Sequence, residues 1–412
     1  MNFKPDFQRR VADAACPPLA ALAIGAHRAT FAQAYRLFQA AIGVLGPPAF
    51  GLTAIEHGGE VVPVEERVVS ETPFCSLRCF STRIRGRPMR MLCAPLAGHR
   101  AVLLREAIAS MLADADVCVT DWMDARDVPA AAGQFRLDDY VRMLEDFMRR
   151  LGPAGLDVVA VCQATVPALA AAARLAAAGE PELRTLVLIG GPVDARLHPT
   201  MLGRIAATMS PQVFLQACTG PVPPGYPGAG RIVYPGFLQL PTLASGQPDR
   251  MLSLMLGALA PPWAQGGAAV AESRAAATDF AAMIDMPAEF ILDTMRTVFR
   301  EHLLPQGRWY IQGEQVRPGA MRTTRLLTVE GERDTITGAG QTHAAHKLCS
   351  ALPDACRIQA TIPACDHYGL FSGPPWRHTV FPPLRHWLNA PARAAASAGV
   401  VDASQPQPAS MN

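Results

Sequence analysis

The chain has 412 residues, half of them hydrophobic and 17% charged. That is enough for one large α/β domain with an insertion, or for two to three ordinary domains. Lys and Arg total 37 against 35 Asp and Glu, a formal charge of +2. So even a balance supplies no long-range field for nucleic acid or an acidic surface, and excludes the usual electrostatic footprint of a nucleic-acid-binding protein.

The first 70 residues are alanine-rich and predict a mainly helical region, with a helix around 29–42 and loop through 46–59. An early Asp and the Cys16-Pro17-Pro18 break argue against a signal peptide there. From residue 68 short strands are expected: VVSETPFCSLRCFS alternates roughly, and Pro88–Pro95 is an apolar run stopped by Pro95 and Gly98. HRAVLLREAIASMLAD places Val102, Leu103, Ile108, Met111 and Leu112 at helical spacing, and ADVCVTDW reads as a buried strand. The strongest helical pattern is 135–151, where Leu137, Tyr140, Val141, Leu144, Phe147, Met148 and Leu151 share a face and Gly152-Pro153 ends it. Then LDVVAV gives a strand that stops at Cys162 and turns into an Ala/Leu-rich helix, followed by the strand Thr185–Ile189.

Strands alternating with helices imply right-handed βαβ units and a mostly parallel sheet with helices on both faces. The rhythm breaks between about 196 and 321, where TGPVPPGYPGAGRIVYPGF is too rich in Pro and Gly for regular structure and a helix is expected from Pro287. It resumes with strands at 325–329 and 357–362, a helix near 339–349 and a last helix at 381–388. The expected organisation is a core in two parts, 71–195 and 322–390, around a cap inserted at 196–321, with a polar tail at 391–412. The apolar stretches 158–178 and 251–272 are interrupted by Gln, Pro or Arg, so no membrane span is expected. Ten cysteines without a C-x-x-C pair suggest a cytosolic chain with reduced thiols and no metal site.

Open α/β sheets carry their functional groups just beyond the strand ends. Those positions hold Leu96-Ala97-Gly98-His99, then Cys162-Gln163, then the run from Glu330 through Asp334 to Thr337, and finally Cys365-Asp366-His367. Cys162, Asp334 and His367 follow the nucleophile, acid, histidine order of the α/β-hydrolase triad, with Cys162 at the strand-to-helix corner where that fold has its nucleophile elbow. The usual G-x-S-x-G is here Ala160-Val161-Cys162-Gln163-Ala164, without either glycine, and G-x-S-x-G occurs nowhere else. A buried cysteine ending a core strand would look the same in this window. Asp334 could equally cap a helix; Glu330, Glu332 and Asp366 are rival acids, and His99 is a rival base placed in the wrong order. The backbone N–H of Gln163 and those of the loop through Gly98 and His99 are the expected oxyanion donors.

PLAGHRAVLLREA (95–107), VTDWMDARDVP (119–129), VCQATVPALAA (161–171), IGGPVDAR (189–196), YPGFLQ (234–239), DMPAEFILDT (285–294), TVEGERDTITGAGQT (328–342) and CDHYGLFSG (365–373) together resemble the intracellular polyhydroxyalkanoate (polyhydroxybutyrate, PHB) depolymerases of bacteria. The resemblance spans roughly 70–390. It implies an α/β-hydrolase fold, Cys162 as nucleophile, His367 as base and Asp334 as acid, although relatives can carry two adjacent acids where this chain has Asp334-Thr335. It further implies cytoplasmic hydrolysis of amorphous storage-granule polyester to 3-hydroxybutyrate oligomers and monomer through a thioester, with no cofactor. Coenzyme A could replace water as the acyl acceptor. The alternatives are a polyhydroxyalkanoate synthase, which uses the same three residue types but carries glycines at its elbow, and a non-catalytic granule-coating protein. Polymer contacts are expected from 220–237 and 251–257, and the oligomeric state is not indicated.

Overall fold

A computed structural model describes residues 33–37, 49–239 and 282–390. The expected polar tail at 391–412, the Met-containing 251–257 and most of the 29–42 helix lie outside these residues; 33–37 is helical.

Two short strands, β1 (Ala54–His57) and β2 (Glu60–Pro63), form a separate hairpin. The main sheet holds β3 (Glu65–Glu71), β4 (Cys75–Ser81), β5 (Met89–Cys93), β6 (Asp116–Trp122), β7 (Asp157–Val161), β8 (Thr185–Ile189), and then, after a long excursion, two more strands. The excursion contributes a small antiparallel sheet of β9 (Gly220–Pro221), β10 (Ile232–Tyr234) and β11 (Met286–Pro287), and the hairpin β12 (Tyr310–Ile311) with β13 (Glu314–Gln315). The main sheet is completed by β14 (Arg325–Gly331) and β15 (Arg357–Ile362), in the order β15-β14-β8-β7-β5-β6-β4-β3. The six strands from β15 to β6 run parallel, and β4 and β3 add antiparallel. This is an α/β-hydrolase sheet. Because β8 and β14 are hydrogen-bonded neighbours, everything between them is an insertion into one continuous sheet.

Burial explains the strand composition: β7 and β8 read DVVAV and TLVLI and are buried at every position, as strands covered on both faces must be. Among the helices, α1 (Arg105–Leu112), α2 (Leu137–Leu151) and α3 (Thr165–Ala177) follow β5, β6 and β7 respectively. The α2 periodicity points Tyr140, Val141, Leu144, Phe147 and Met148 inward, and Asp139 closes its first turn by accepting the Arg136 N–H. The inserted block contains α4 (Met201–Thr208), α5 (Pro211–Cys218) and α6 (Ala288–Thr294), the last running on into a π-helical turn at Met295–Arg300. Two further helices, α7 (Ala345–Leu348) and α8 (Phe381–Asn389), belong to the second part of the core. Among the described residues no helix is long and apolar enough to cross a membrane.

Four expectations need correction. Strands begin at 54 rather than 68: β1, β2 and the first part of β3 replace the end of the expected loop and the mainly helical region, because they pair as exposed antiparallel edges with little apolar alternation to detect. The Pro/Gly-rich 220–237 contains the two short strands β9 and β10, held by pairing to each other and to β11 rather than by their own propensity. The helix near 339–349 shrinks to α7, since the Glu330 carboxylate accepts the N–H groups of Gly340, Thr342 and His343 and fixes that stretch as a turn. The thiols expected to be reduced include one pair, Cys79 and Cys118, that face each other across the β4–β6 ladder and are joined as a disulfide. Their 39-residue separation hides in the sequence what the register creates in space.

Candidate active site

Parallel strands bring their carboxyl ends to one edge, and β5, β7, β14 and β15 end there on the four segments singled out above. At the end of β7 the backbone of Cys162 turns to φ 54°, a left-handed conformation uncommon for a side-chain-bearing residue. A single 3₁₀ turn, Cys162–Ala164, then leads into α3. The turn is pinned by Thr165, whose hydroxyl donates to the Cys162 carbonyl at 2.8 Å. Strain of this kind persists only where the surroundings over-determine it, and it projects the Cys162 side chain beyond the strand.

The absent elbow glycines have a substitute. A β-carbon on Gly191 would stand 1.7 Å from Thr165 Oγ1 and 2.5 Å from the Cys162 carbonyl oxygen. One on Gly190 would meet the Leu370 side chain at 2.9 Å and the His367 ring at 3.4 Å. So the clearance that the flanking glycines of a G-x-S-x-G turn give is supplied by the pair that ends the neighbouring strand, β8. Gly190 and Gly191 are themselves held by the hydroxyls of Thr337 and Thr342.

His367 lies beyond β15, almost fully buried, with Tyr368 and Phe371 edge-on to its ring at 5.7 and 5.6 Å. Its Nδ1 is 2.7 Å from Asp334 Oδ2, and the Cys162 side chain is near enough to the ring to act on its charge. Asp334 Oδ1 accepts the N–H groups of Ile336 and Thr337, each at 2.8 Å, which fixes the carboxylate plane toward the histidine. Burial opposes charge on His367, but the adjoining Cys162 sulfur and Asp334 carboxylate outweigh it, so the imidazole is pushed up to about 10. Elsewhere burial keeps thiols neutral: Cys75 and Cys93 are raised well above the ordinary range, Cys349 to about 12 and Cys365 to about 11.

The rival acids are engaged elsewhere. Glu330 holds the 340–343 turn, Glu332 accepts the Ala364 N–H at 2.7 Å, and Asp366 accepts the Gly369 N–H at 2.7 Å. The rival histidine, His99, sits on the loop after β5 with Nδ1 3.0 Å from the Ala97 carbonyl. That loop starts from a fixed point, because the Ala94 carbonyl accepts both the Tyr140 hydroxyl (2.8 Å) and the Trp122 indole N–H (2.9 Å). Farther along it, Ile284 donates to the Gly98 carbonyl and Arg100 to the Ala282 carbonyl, both at 2.8 Å, bridging His99 to Met283 of the insertion. Backbone alternation then turns the His99 N–H away from the 282–284 segment. Gln163 is the central residue of the turn Cys162–Ala164.

Thr165, Gly190 and Gly191 were not singled out from the sequence. A Gly-Gly after an apolar strand was the one signal available for the three, and it reads as an ordinary strand end until β7 and β8 are known to be neighbours.

Residues 190–391 match the family model described as PHB de-polymerase C-terminus. Over that stretch the chain carries a PHB depolymerase C-terminal domain. The matched region covers the insertion, β14, β15 and both Asp334 and His367, while Cys162 lies before it. None of the curated proteins compared matches the chain. Solved structures similar to it include Cfl2 from Burkholderia cenocepacia, with 15% identity, 79% of this chain and 96% of that chain covered and a TM-score of 0.43. Another is the haloalkane dehalogenase DbeA from Bradyrhizobium elkani USDA94, with 15% identity, coverage of 79% and 97% and a TM-score of 0.44. A putative lipase (lip1) from Acinetobacter baumannii AYE has 10% identity, coverage of 86% and 95% and a TM-score of 0.41. The family match and the α/β-hydrolase sheet both support a hydrolase.

Proposed function

We propose that the chain is an intracellular PHB depolymerase that cleaves amorphous granule polyester through a Cys162-His367-Asp334 triad. The observation that carries the reading is the chain of contacts from the strained Cys162 through the His367 ring to the Asp334 carboxylate. In the reaction Cys162 sulfur attacks the ester carbonyl carbon while His367 holds the thiol proton. The oxyanion is met by the N–H groups of Gln163 and of the Gly98–His99 loop. The ester C–O bond then breaks, the leaving alkoxide takes the proton from His367, and a hydroxyacyl thioester remains on Cys162. Water attacks that thioester as His367 removes its proton; the C–S bond breaks, releasing 3-hydroxybutyrate and returning the proton to the Cys162–His367 pair. Asp334 holds the Nδ1 proton throughout and stabilises the imidazolium.

The insertion at 196–321 is the cap of this site in our reading, since its 282–284 segment is bridged to the loop carrying His99. A cap shields a cleft into which a polyester can be drawn from its own apolar phase. The setting we assign is the cytoplasmic storage granule. Cys162→Ala should release no 3-hydroxybutyrate from amorphous granules while still sedimenting with them. A variant that keeps releasing acid would remove Cys162 from the reaction, and a wild-type protein that binds granules without releasing acid would make it a coating protein. Running the granule assay with coenzyme A added tells which acceptor takes the acyl group: free acid with water, acyl-CoA with coenzyme A.

A further inference from the structure

Gly98 has φ +80°, and a β-carbon there would stand 1.4 Å from Gln239 Oε1 and 2.4 Å from Gln239 Cδ. The Gln239 carboxamide therefore occupies the space where any other residue at 98 would put its side chain. Gln239 comes from the insertion, just beyond β10, and is buried. Its Nε2 donates to the Tyr234 carbonyl at 3.1 Å and to the Ile284 carbonyl at 3.2 Å. Ile284 in turn donates its own N–H to the Gly98 carbonyl. One amide thus ties together the end of β10, the 282–284 segment and the turn at Gly98.

The support behind this amide is rigid. Asp285, next to Ile284, accepts the Gly236 N–H at 3.0 Å and the Tyr35 hydroxyl, and its own N–H donates to Asp124, all of them buried. Burial and the neighbouring carboxylate raise Asp124 well above the usual range. The insertion is in this way anchored to the loop after β6 as well as to the loop after β5.

We infer that Gln239 is a positioning residue that sets the direction of the Gly98–His99 backbone N–H groups, so that the inserted block completes the oxyanion site of the core. This rests on the reading of Cys162 as nucleophile and of the 98–99 loop as oxyanion donor. Gln239 touches neither Cys162 nor His367 in any described contact, so it acts on the transition state through the loop alone. A donor displaced by a fraction of an ångström costs rate without changing how the ester binds, because only the developing oxyanion needs that geometry.

The test uses the full chain with p-nitrophenyl butyrate as ester and iodoacetamide as a probe of Cys162, whose alkylation needs the thiolate and no oxyanion donor. Gln239→Ala removes the carboxamide, and Gln239→Met keeps its volume while removing both donated hydrogen bonds. Both variants should lose roughly 10- to 100-fold in kcat, with KM and the Cys162 alkylation rate within about 2-fold of wild type. An unchanged kcat in either variant overturns the inference. So does a parallel fall of kcat and alkylation rate in both, which would make Gln239 merely structural. Cys162→Ala in the same assay separates the two levels: if it retains esterase activity the nucleophile reading fails whatever Gln239 does, and if it is inactive while Gln239→Met is unimpaired, only the positioning role fails.

Discussion

Replacing Asp334 by Asn changes one atom and should invert the proton logic of the site. Asp334 Oδ1 accepts two backbone N–H groups at 2.8 Å and Oδ2 accepts His367 Nδ1–H at 2.7 Å. An Asn keeps its carbonyl oxygen on the side of Ile336 and Thr337, because the opposite orientation would set an NH₂ against two buried donors and forfeit two hydrogen bonds instead of one. Its NH₂ then faces His367 Nδ1, which must become an acceptor and move the ring proton to Nε2. The imidazole can no longer take the Cys162 proton. Side-chain exposures of 2% for Asp334 and 4% for His367 leave no water to take over the role. The expected loss in kcat is on the order of 10⁴, about 5.5 kcal/mol of transition-state stabilisation. The assay is initial-rate hydrolysis of p-nitrophenyl butyrate beside 3-hydroxybutyrate release from granules, with circular dichroism to establish folding. Asp334→Asn retaining more than about a tenth of wild-type kcat would refute the assignment, as would a comparable loss in a folded Asp366→Asn variant.

The remaining expectations concern the elbow, the pH response and the direction of the chemistry. Gly191→Ala places a methyl 1.7 Å from Thr165 Oγ1 and should destabilise the protein by about 1–3 kcal/mol while slowing Cys162 alkylation; a denaturation midpoint equal to wild type would show that the β8 end is not what clears the elbow. Thr165→Val removes the hydroxyl that pins the Cys162 carbonyl and should cost about 1 kcal/mol, read by the same denaturation. His367 is raised to about 10, so its charged form stabilises the fold fully below the unfolded-state value of about 6.5 and loses that contribution as pH rises through about 10. Wild type should therefore lose stability across that alkaline window relative to His367→Gln, and parallel curves would contradict the raised imidazole. Incubation with 3-hydroxybutyryl-CoA should give no polymer; accumulation of polymer with free CoA would make the protein a synthase.

Much of the core was readable before any coordinates: its central strands β7 and β8 are buried on both faces and carry their own signature, and the edge strand β15 is bounded by turn residues. Thr185–Ile189 and Arg357–Ile362 have the bounds expected of them, and the polar residues that follow each strand converge because parallel strands all end on one edge. Cys162 was legible as a corner residue, but the reason it can occupy that corner was not. The clearance belongs to Gly190 and Gly191, 28 and 29 positions away, and only the β7–β8 pairing brings them together. The same holds for Gln239, whose importance depends on a glycine 141 positions earlier, and for the Cys79–Cys118 pair. β1, β2 and the start of β3 escaped because exposed edge strands carry little hydrophobic alternation, and the turn at 340–343 because its organiser, Glu330, lies on a different element. Local pattern reported the strands and their ends; contacts between elements distant in sequence decided how those ends are shaped.

The central claim is that Cys162 carries the acyl group. Rapid quenching of wild-type protein in acid during turnover of amorphous PHB, followed by digestion and peptide mass analysis, tests it most directly. A 3-hydroxybutyryl group on the peptide containing Cys162, removed by hydroxylamine as a thioester would be, is the predicted result, and it should be enriched in His367→Gln if deacylation is slowed more than acylation. An acyl group on any serine or on another cysteine, or turnover without any acylated peptide at Cys162, would contradict the account.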